Sequence, residues 1–361
     1  DDGLIHVTRD NGKTWKNVTP PASIMPEWIQ INSLEAHPFA AEGIYVAATM
    51  YKWDDFRPYL FKTTDGGTTW ALKNSGLPGA LINVDVRVEA LAIDRQFAST
   101  LYAGLQSSGV FKSTNSGDSW TSSNSGLTAS RTQALVIDPS STNTIYGGTD
   151  SKGVFRSIDG GQDFSPRNQG IQNDNVQALV IDLDNTNILY AGTRHRGVFK
   201  TTLSGSTWMS TNAGDLTPDS NVQALTIDPN DTRIIYAGTN GSGVVKSIDG
   251  GGGWTFFNNG DLAADANVQA LAIDRFDTDI MYAGTNGSGV VKSIDGGGDW
   301  TFVNNGDLAA DANVQALAID PDVTQTVYAG TNGGGVFKSE NGGTDWTAVN
   351  KGLTNLNVQT L

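Results

Sequence analysis

Two sets of carboxylates in this chain are spaced in ways that could do chemistry. The first belongs to a phrase that returns eight times, Ser/Thr-x-Asp/Asn-x-Gly-x-x-aromatic. Its acidic or amide position is Asp10, Asp65, Asn115, Asp159, Asp249, Asp295 and Asn341, with Leu203 standing there in the fifth copy. Its aromatic is Trp15, Trp70, Trp120, Phe164, Trp208, Trp254, Trp300 and Trp346. The second set is Glu27, Asp54 and Asp55. Paired carboxylates can perform acid–base glycoside hydrolysis, and Asp54 with Asp55 or Glu27 is a conceivable pair. Adjacent Asp54 and Asp55 would point apart in an extended segment, which weakens that pairing. For the repeated phrase a mechanical role competes with catalysis. Asp and Ser side chains hydrogen-bond turn backbone, and Gly permits the turn's positive φ.

The spacing favours the mechanical role. The final aromatic recurs every 55, 50, 44, 44, 46, 46 and 46 residues. A fixed period near 45 means one supersecondary unit copied many times. Residues 221–266 and 267–312 match at 39 of 46 positions, which suits a scaffold grown by duplication.

Each copy reads as four short strands. In residues 268–313 the first strand is Val268-Gln269-Ala270-Leu271-Ala272-Ile273 and the second is Ile280-Met281-Tyr282-Ala283-Gly284. The third is Val290-Val291-Lys292-Ser293 and the fourth is Trp300-Thr301-Phe302-Val303, followed by a polar loop over 304–313. Four such runs separated by turns make an antiparallel meander. Sheets repeated radially give a β-propeller, for which this period fits one blade. Burying one aromatic plate between blades contributes on the order of 4–6 kcal/mol as an upper bound. Phe164 and Leu203 therefore mark two blades expected to be locally weaker.

The expectation is a single all-β propeller over residues 1–361. Its complete blades fall at approximately 29–75, 86–125, 132–169, 176–213, 222–259, 268–305 and 314–351. A closing eighth blade is split between 1–19 and 357–361, with seven blades as the alternative count. Asp1 opens in the middle of a repeat, so the true N-terminus is expected upstream.

Net charge is −15 with Lys+Arg 23 against Asp+Glu 38. That balance argues against nonspecific nucleic-acid binding and against docking on anionic lipid. There is no cysteine, hence no disulfide framework or thiol chemistry. No run of about 18 apolar residues is present to span a membrane. His6, His37 and His195 are isolated, and no cluster has zinc spacing, so no metal or cofactor is expected. The acidic loops 260–265 and 306–311 are the one place where Ca²⁺ could find oxygen ligands; such loops are more often simply solvated.

The phrase is that of the Asp-box, or BNR, repeat, and the chain resembles Asp-box β-propellers along essentially its whole length. The later copies, with Tyr-Ala-Gly-Thr before Gly-Val-Val/Phe-Lys-Ser, resemble repeats of the photosystem II assembly-factor group and of xyloglucanase-type glycoside hydrolases. The first 75 residues are similar to sortilin-type ectodomains and their bacterial relatives, through Asp1-Asp2-Gly3-Leu4-Ile5-His6-Val7-Thr8-Arg9-Asp10 and Asp55-Phe56-Arg57-Pro58-Tyr59-Leu60. The resemblance implies that the Asp-box carboxylates form turns. It specifies fold far better than function. A sialidase would need an arginine cluster with a Tyr/Glu pair, against which the chain offers Phe56-Arg57-Pro58. Xyloglucanase-type enzymes use two carboxylates in a cleft between two propellers, and only one propeller is read here.

In this topology the second-to-third loops and the loops that follow the fourth strands share one face. That face is distinctive around Trp28, Tyr51, Trp53, Asp54, Asp55 and Arg57, and at Arg194-His195-Arg196, where neighbouring copies have Asn-Gly-Ser. Trp, Tyr and Arg anchor interfaces. The competing reading is that Tyr51 and Trp53 pack inside a long ordered loop. The function expected is a non-catalytic binding scaffold that is secreted, periplasmic or at the cell surface, taking a protein or carbohydrate partner on this face, alone or within a larger assembly. A glycoside hydrolase is the alternative.

Overall fold

A computed structural model of the chain describes residues 5–7, 16–20, 25, 30–36, 42–50, 55–65, 68–73, 75, 77, 88–129, 131–171, 174–217, 219–320 and 323–349. The secondary structure among them is β throughout, with no helix. The fold is an all-β propeller of four-stranded antiparallel blades, and seven blades are complete among the described residues.

Blade 1 runs Gln30–Ala36, Ile44–Met50, Asp55–Thr63 and Ala71–Leu72. Blade 2 runs Val88–Ile93, Leu101–Leu105, Gly109–Ser113 and Thr121–Ser122. Blade 3 runs Thr132–Ile137, Ile145–Thr149, Val154–Ser157 and Ser165–Pro166. Blade 4 runs Val176–Ile181, Leu189–Thr193, Val198–Thr201 and Met209–Ser210. Blade 5 runs Val222–Ile227, Ile235–Thr239, Val244–Ser247 and Thr255–Phe256. Blade 6 runs Val268–Ile273, Met281–Thr285, Val290–Ser293 and Asp299–Phe302, with Asn259–Gly260 added in parallel to its last strand. Blade 7 runs Val314–Ile319, Val327–Thr331, Gly335–Ser339 and Thr347–Ala348.

The blade count among the described residues is seven, the alternative, and not eight; of the expected split eighth blade they show a two-stranded ribbon. His6–Val7 pairs with Lys16–Asn17. Residues 357–361, expected to complete it, lie outside the described residues. Ile5, Val18 and Met25 pack against Val46, Ala48, Tyr59, Phe61 and Trp70 of blade 1, so the ribbon is anchored through its flanking apolar residues.

The chain divides into two compact units, Asp1–Val176 and Gln177–Leu361. In both, burial is graded across each sheet. The second strand is wholly buried in blades 2 to 6, as in Ile235–Thr239 and Met281–Thr285, and in blade 7 is buried except at Tyr328. In blade 5 the third strand is buried except at its Lys, the fourth is exposed, and the first is half-buried beyond its leading residue. The very short fourth strand limits the unpaired edge each blade presents.

Within the second unit, the fit between blades is set by backbone proximity. A Cβ added at Gly238 would come 2.9 Å from Val268 Cγ1, and one at Gly284 would come 2.7 Å from Val314 Cγ1. The Gly of each Tyr-Ala-Gly-Thr strand thus leaves room for the leading Val of the following blade. The Tyr two residues earlier grips that following blade by another route. Tyr190 and Tyr236 donate to the carbonyls of Gly250 and Gly296, each at 3.0 Å. Lys200 and Lys246 donate to the same carbonyls at 2.5 and 2.6 Å while lying over the Tyr rings at 5.4 and 5.1 Å. The first unit repeats the grip with Tyr102 and Lys112 on Gly160, at 3.0 and 2.7 Å. Burial raises the titration of Tyr102, Tyr190 and Tyr236, which keeps these hydroxyls protonated as donors.

Gly284→Ala is therefore expected to destabilise the chain by about 1–3 kcal/mol through overpacking. Val314→Ala should relieve part of that cost. A double-mutant cycle followed by chemical denaturation should give favourable coupling between the two changes; strict additivity would count against the contact.

Candidate functional site

The turn between third and fourth strands shows what the repeated phrase does. In blade 6, Ser293 donates to Asp295 Oδ1 at 2.7 Å and accepts from the Gly297 amide at 2.8 Å. Asp295 Oδ1 in turn accepts from the Asp299 amide at 2.9 Å. Ser157 with Asp159 and Ser247 with Asp249 repeat the pattern. Asn115 and Asn341 reproduce it with neutral amides: each accepts a backbone N–H four residues on, at 2.9 Å. Asp65 is held the same way through Thr63 and Thr69. In blade 4, Thr201 still accepts from the Leu203 and Gly205 amides, but the Leu203 side chain is exposed and the carboxylate arm is absent. Phe164 is buried like Trp70, Trp120, Trp208, Trp254, Trp300 and Trp346.

The aromatic that ends the phrase bonds to the preceding blade. Trp120 Nε1 donates to Lys73 O at 2.7 Å, Trp300 Nε1 to Phe257 O at 2.6 Å and Trp254 Nε1 to Thr211 Oγ1 at 3.3 Å. Trp70 Nε1 donates to Val18 O. The loops after the fourth strands of blades 4, 5 and 6, read from sequence as polar connections, are straps. Leu216, Leu262 and Leu308 are buried. Asp215, Asp261 and Asp307 each accept a backbone N–H of the next blade's fourth strand at 2.8 Å, from Phe256, Phe302 and Ala348. Gly260 takes φ 74°, and a Cβ there would meet Trp300 O at 2.2 Å. The loops weighed for Ca²⁺ thus use Asp261 and Asp307 on backbone. Among the described residues no group of three or more His, Cys, Asp or Glu side chains could hold a metal ion.

The loop between second and third strands is the one built to present side chains. In blade 4, Thr193 Oγ1 donates to Gly197 O at 2.9 Å and accepts from the Arg196 amide at 3.0 Å. Asn212 closes the frame, accepting from the Val198 amide at 2.8 Å and donating to Arg196 O at 2.7 Å. Asn258 and Asn304 do the same in blades 5 and 6. What the frame leaves outward is a triplet that differs between blades: Asp150-Ser151-Lys152, Arg194-His195-Arg196, then Asn-Gly-Ser in blades 5 and 6. Arg194, His195 and Arg196 are all exposed, and the Arg196 guanidinium lies 5.0 Å from the Phe199 ring centre. The framing Asn residues were not singled out from sequence. Their signal was available, because an Asn follows the aromatic by four residues at Asn74, Asn124, Asn168, Asn212, Asn258 and Asn304.

In blade 1, Asp55 pairs with Met50 in the ladder, so Asp55 and Arg57 belong to the third strand and the connection shrinks to residues 51–54. This hairpin is longer than those of the other blades because both strands extend. Tyr51, Trp53 and Asp54, with Trp28, Asp10 and Trp15, lie outside the described residues.

No family model matches the chain, and no curated protein matches it. Solved structures do. A GH74 xyloglucanase from Xanthomonas campestris aligns over 96% of this chain and 66% of its own, with a TM-score of 0.61 at 18% identity. An ancestral GH74 enzyme aligns over 70% of this chain and 36% of its own, with a TM-score of 0.59 at 22% identity. The chain therefore spans only part of these enzymes. YCF48 bound to D1 peptide aligns over 84% and 91%, with a TM-score of 0.57 at 14% identity. Sqt1 from Chaetomium thermophilum, bound to the N-terminus of ribosomal protein L10, aligns over 86% and 84%, with a TM-score of 0.64 at 11% identity. At these identities the likeness is one of fold: hydrolases and peptide-bound propellers share the architecture of this chain.

The turn carboxylates carry a pH prediction. Hydrogen bonds from Thr69 hold Asp65 down at about 2. Asp249 and Asp295 are lowered chiefly by the Gly253 and Asp299 amides, and Asp159 chiefly by Ser157. Groups depressed in the folded state stabilise it above their unfolded value near 3.9 and lose that contribution as pH falls through the folded value. Thermal stability should therefore drop from about pH 4 toward pH 2. Asp249→Asn with Asp295→Asn should flatten that drop and keep the fold, as Asn115 and Asn341 already do. Asp295→Ala should cost about 1 kcal/mol at neutral pH. Melting curves across this pH range check all three.

Proposed function

We propose that the chain is a non-catalytic binding scaffold that presents its second-to-third-strand loops to a protein partner. The observation that carries this reading is the frame around residues 193–197. The same Thr, Gly and Asn hydrogen bonds recur from blade to blade, and only the outward triplet changes. A fixed frame lowers the entropy lost on binding, so a few exposed side chains suffice for selective contact. Arg194, His195 and Arg196 make blade 4 cationic on a chain of net charge −15, which suits an acidic segment of the partner. The long hairpin of blade 1 carries a second proposed contact, with Trp28, Tyr51, Trp53, Asp54, Asp55 and Arg57. Support comes from two propellers of like fold, YCF48 and Sqt1, solved with a peptide or protein terminus bound. The repeated turn is read as an Asp-box on the hydrogen-bond pattern of Ser293, Asp295 and Gly297. An exported location belongs to the reading and rests on the Asn-, Thr- and Gly-rich surface.

The GH74 likeness keeps hydrolysis as the competing reading. Native co-purification with the wild-type chain, followed by mass spectrometry, should recover a partner that Arg194→Glu with Arg196→Glu loses by about tenfold or more in affinity. The loss should shrink as salt rises. Unchanged capture by the double variant would remove the arginine loop from the surface. Release of reducing ends from plant or bacterial polysaccharides, abolished by Asp54→Asn, would overturn the non-catalytic reading.

A further inference from the structure

The first strands of blades 5, 6 and 7 share a feature that the loop surface does not use. In each, the ladder slips by one residue at the Gln of the opening Val-Gln-Ala. Val222 pairs with Thr239 and Ala224 with Gly238, which leaves Gln223 as the extra residue of a β-bulge. Gln269 and Gln315 are extra in the same way. Bulges re-aim a side chain and are enriched beside binding sites. The first strands of blades 5 and 6, and of 6 and 7, pack side by side, which sets the three bulges in a row.

The bulged side chains are not satisfied by the protein. The carboxamide oxygens of Gln223, Gln269 and Gln315 are buried with no hydrogen-bond partner, as are those of Asn221, Asn267 and Asn313 just before them. An orphaned buried acceptor costs about 1–3 kcal/mol. One could be tolerated, but the same pair in blades 5, 6 and 7, with Asn175 and Gln177 as a fourth copy, calls for a shared explanation. These residues are half-buried while the neighbouring second strands are closed, so the row borders accessible space. Backbone bonds tie it to the presenting loops: the Asn240, Asn286 and Asn332 amides donate to the carbonyls of Asn221, Asn267 and Asn313 at 2.9, 2.9 and 2.8 Å.

The geometry points to this row of carboxamides as a binding site for the main chain of an extended, uncharged peptide segment. A carboxamide offers one acceptor and an NH₂ donor, the complement of a peptide group. Identical side chains in successive blades suit a ligand that presents an identical group at each step, as a polypeptide backbone does. The three strands, Val-Gln-Ala-Leu-Thr/Ala-Ile, carry no charge and no aromatic platform on which a sugar ring would stack. In the first unit the equivalent bulges hold Glu89, with Arg131 3.5 Å away to neutralise it, and Gln133, whose carboxamide oxygen is likewise buried without a partner.

The test uses the full chain, isotope-labelled, with two capped dodecapeptides of unrelated, uncharged sequence. Each is made a second time with alternate backbone nitrogens methylated. Gln side-chain NH₂ resonances, assigned through single Gln→Leu variants, report binding. Both peptides should shift the Gln223, Gln269 and Gln315 signals saturably. Backbone methylation should weaken binding by about tenfold, as should Gln223→Leu with Gln269→Leu. That double variant should melt no lower than wild type, since it removes orphaned acceptors. No saturable shift, equal binding of the methylated peptides, an unaffected double variant, or shifts only with cello- or xylo-oligosaccharides would each overturn the assignment. The peptides carry no charged side chain, so failure here leaves the arginine-loop reading standing, and failure of that loop leaves this one.

Discussion

The structure depends on how closely one blade's backbone approaches the next blade's first strand. At Gly238 and Gly284 there is no space for a Cβ beside Val268 and Val314. Tyr236, two residues before Gly238, then reaches across to the Gly296 carbonyl, and Lys246 reaches the same atom, while Lys292 makes the corresponding reach to the Gly342 carbonyl. A change in this spacing would disturb Val packing, Tyr hydrogen bond and Lys contact together. Cores packed to this density do not deform by degrees. This accounts for how little residues 221–266 and 267–312 differ at their seam positions.

The seam also explains the chain's acidity. Asp94, Asp138, Asp182, Asp228 and Asp274 are buried and accept backbone amides of the turn between first and second strands, at 2.8–2.9 Å. Asp159, Asp249 and Asp295 serve the turn between third and fourth strands. Asp215, Asp261 and Asp307 strap one blade to the next. Each duplication therefore adds several carboxylates for backbone reasons. The net charge of −15 is in large part a by-product of turn chemistry, and it makes the two arginines of blade 4 more conspicuous.

Much of this was legible before the structure. The four strands, the turn phrase and the seated aromatic follow from spacing alone, because alternating burial and turn residues act locally. The strap at 260–265 is solvated, as its polar sequence suggests, except at Leu262. Its Leu262 and Asp261 satisfy groups in the following blade, and nothing local announces such a partner. The bulge at Gln269 was invisible for a similar reason. Val-Gln-Ala-Leu reads as plain alternation, and only pairing with Met281–Thr285 reveals the extra residue. Asn304 was available as a spacing signal, but its meaning required the loop it closes. Trp28, Tyr51, Trp53 and Asp54 stand as sequence expectations outside the described residues.

Duplication and function pull on different positions here. The seam tolerates almost no change, since Val, Gly, Tyr and Lys must meet their counterparts in the next copy. The outward triplet at 194–196 is held through its backbone by Thr193, Gly197 and Asn212, and the Arg196 guanidinium lies over the Phe199 ring. The frame's hydrogen bonds are the same around Arg-His-Arg in blade 4 and Asn-Gly-Ser in blade 5, so the triplet can change while the frame is kept. A repeat built this way can gain a charged contact in one blade while its neighbours keep the ancestral surface. A catalytic pair would demand two carboxylates that converge, and the repeated aspartates described here are each directed at backbone amides of a turn or strap. The architecture thus makes binding the easier function to acquire by substitution in a single copy.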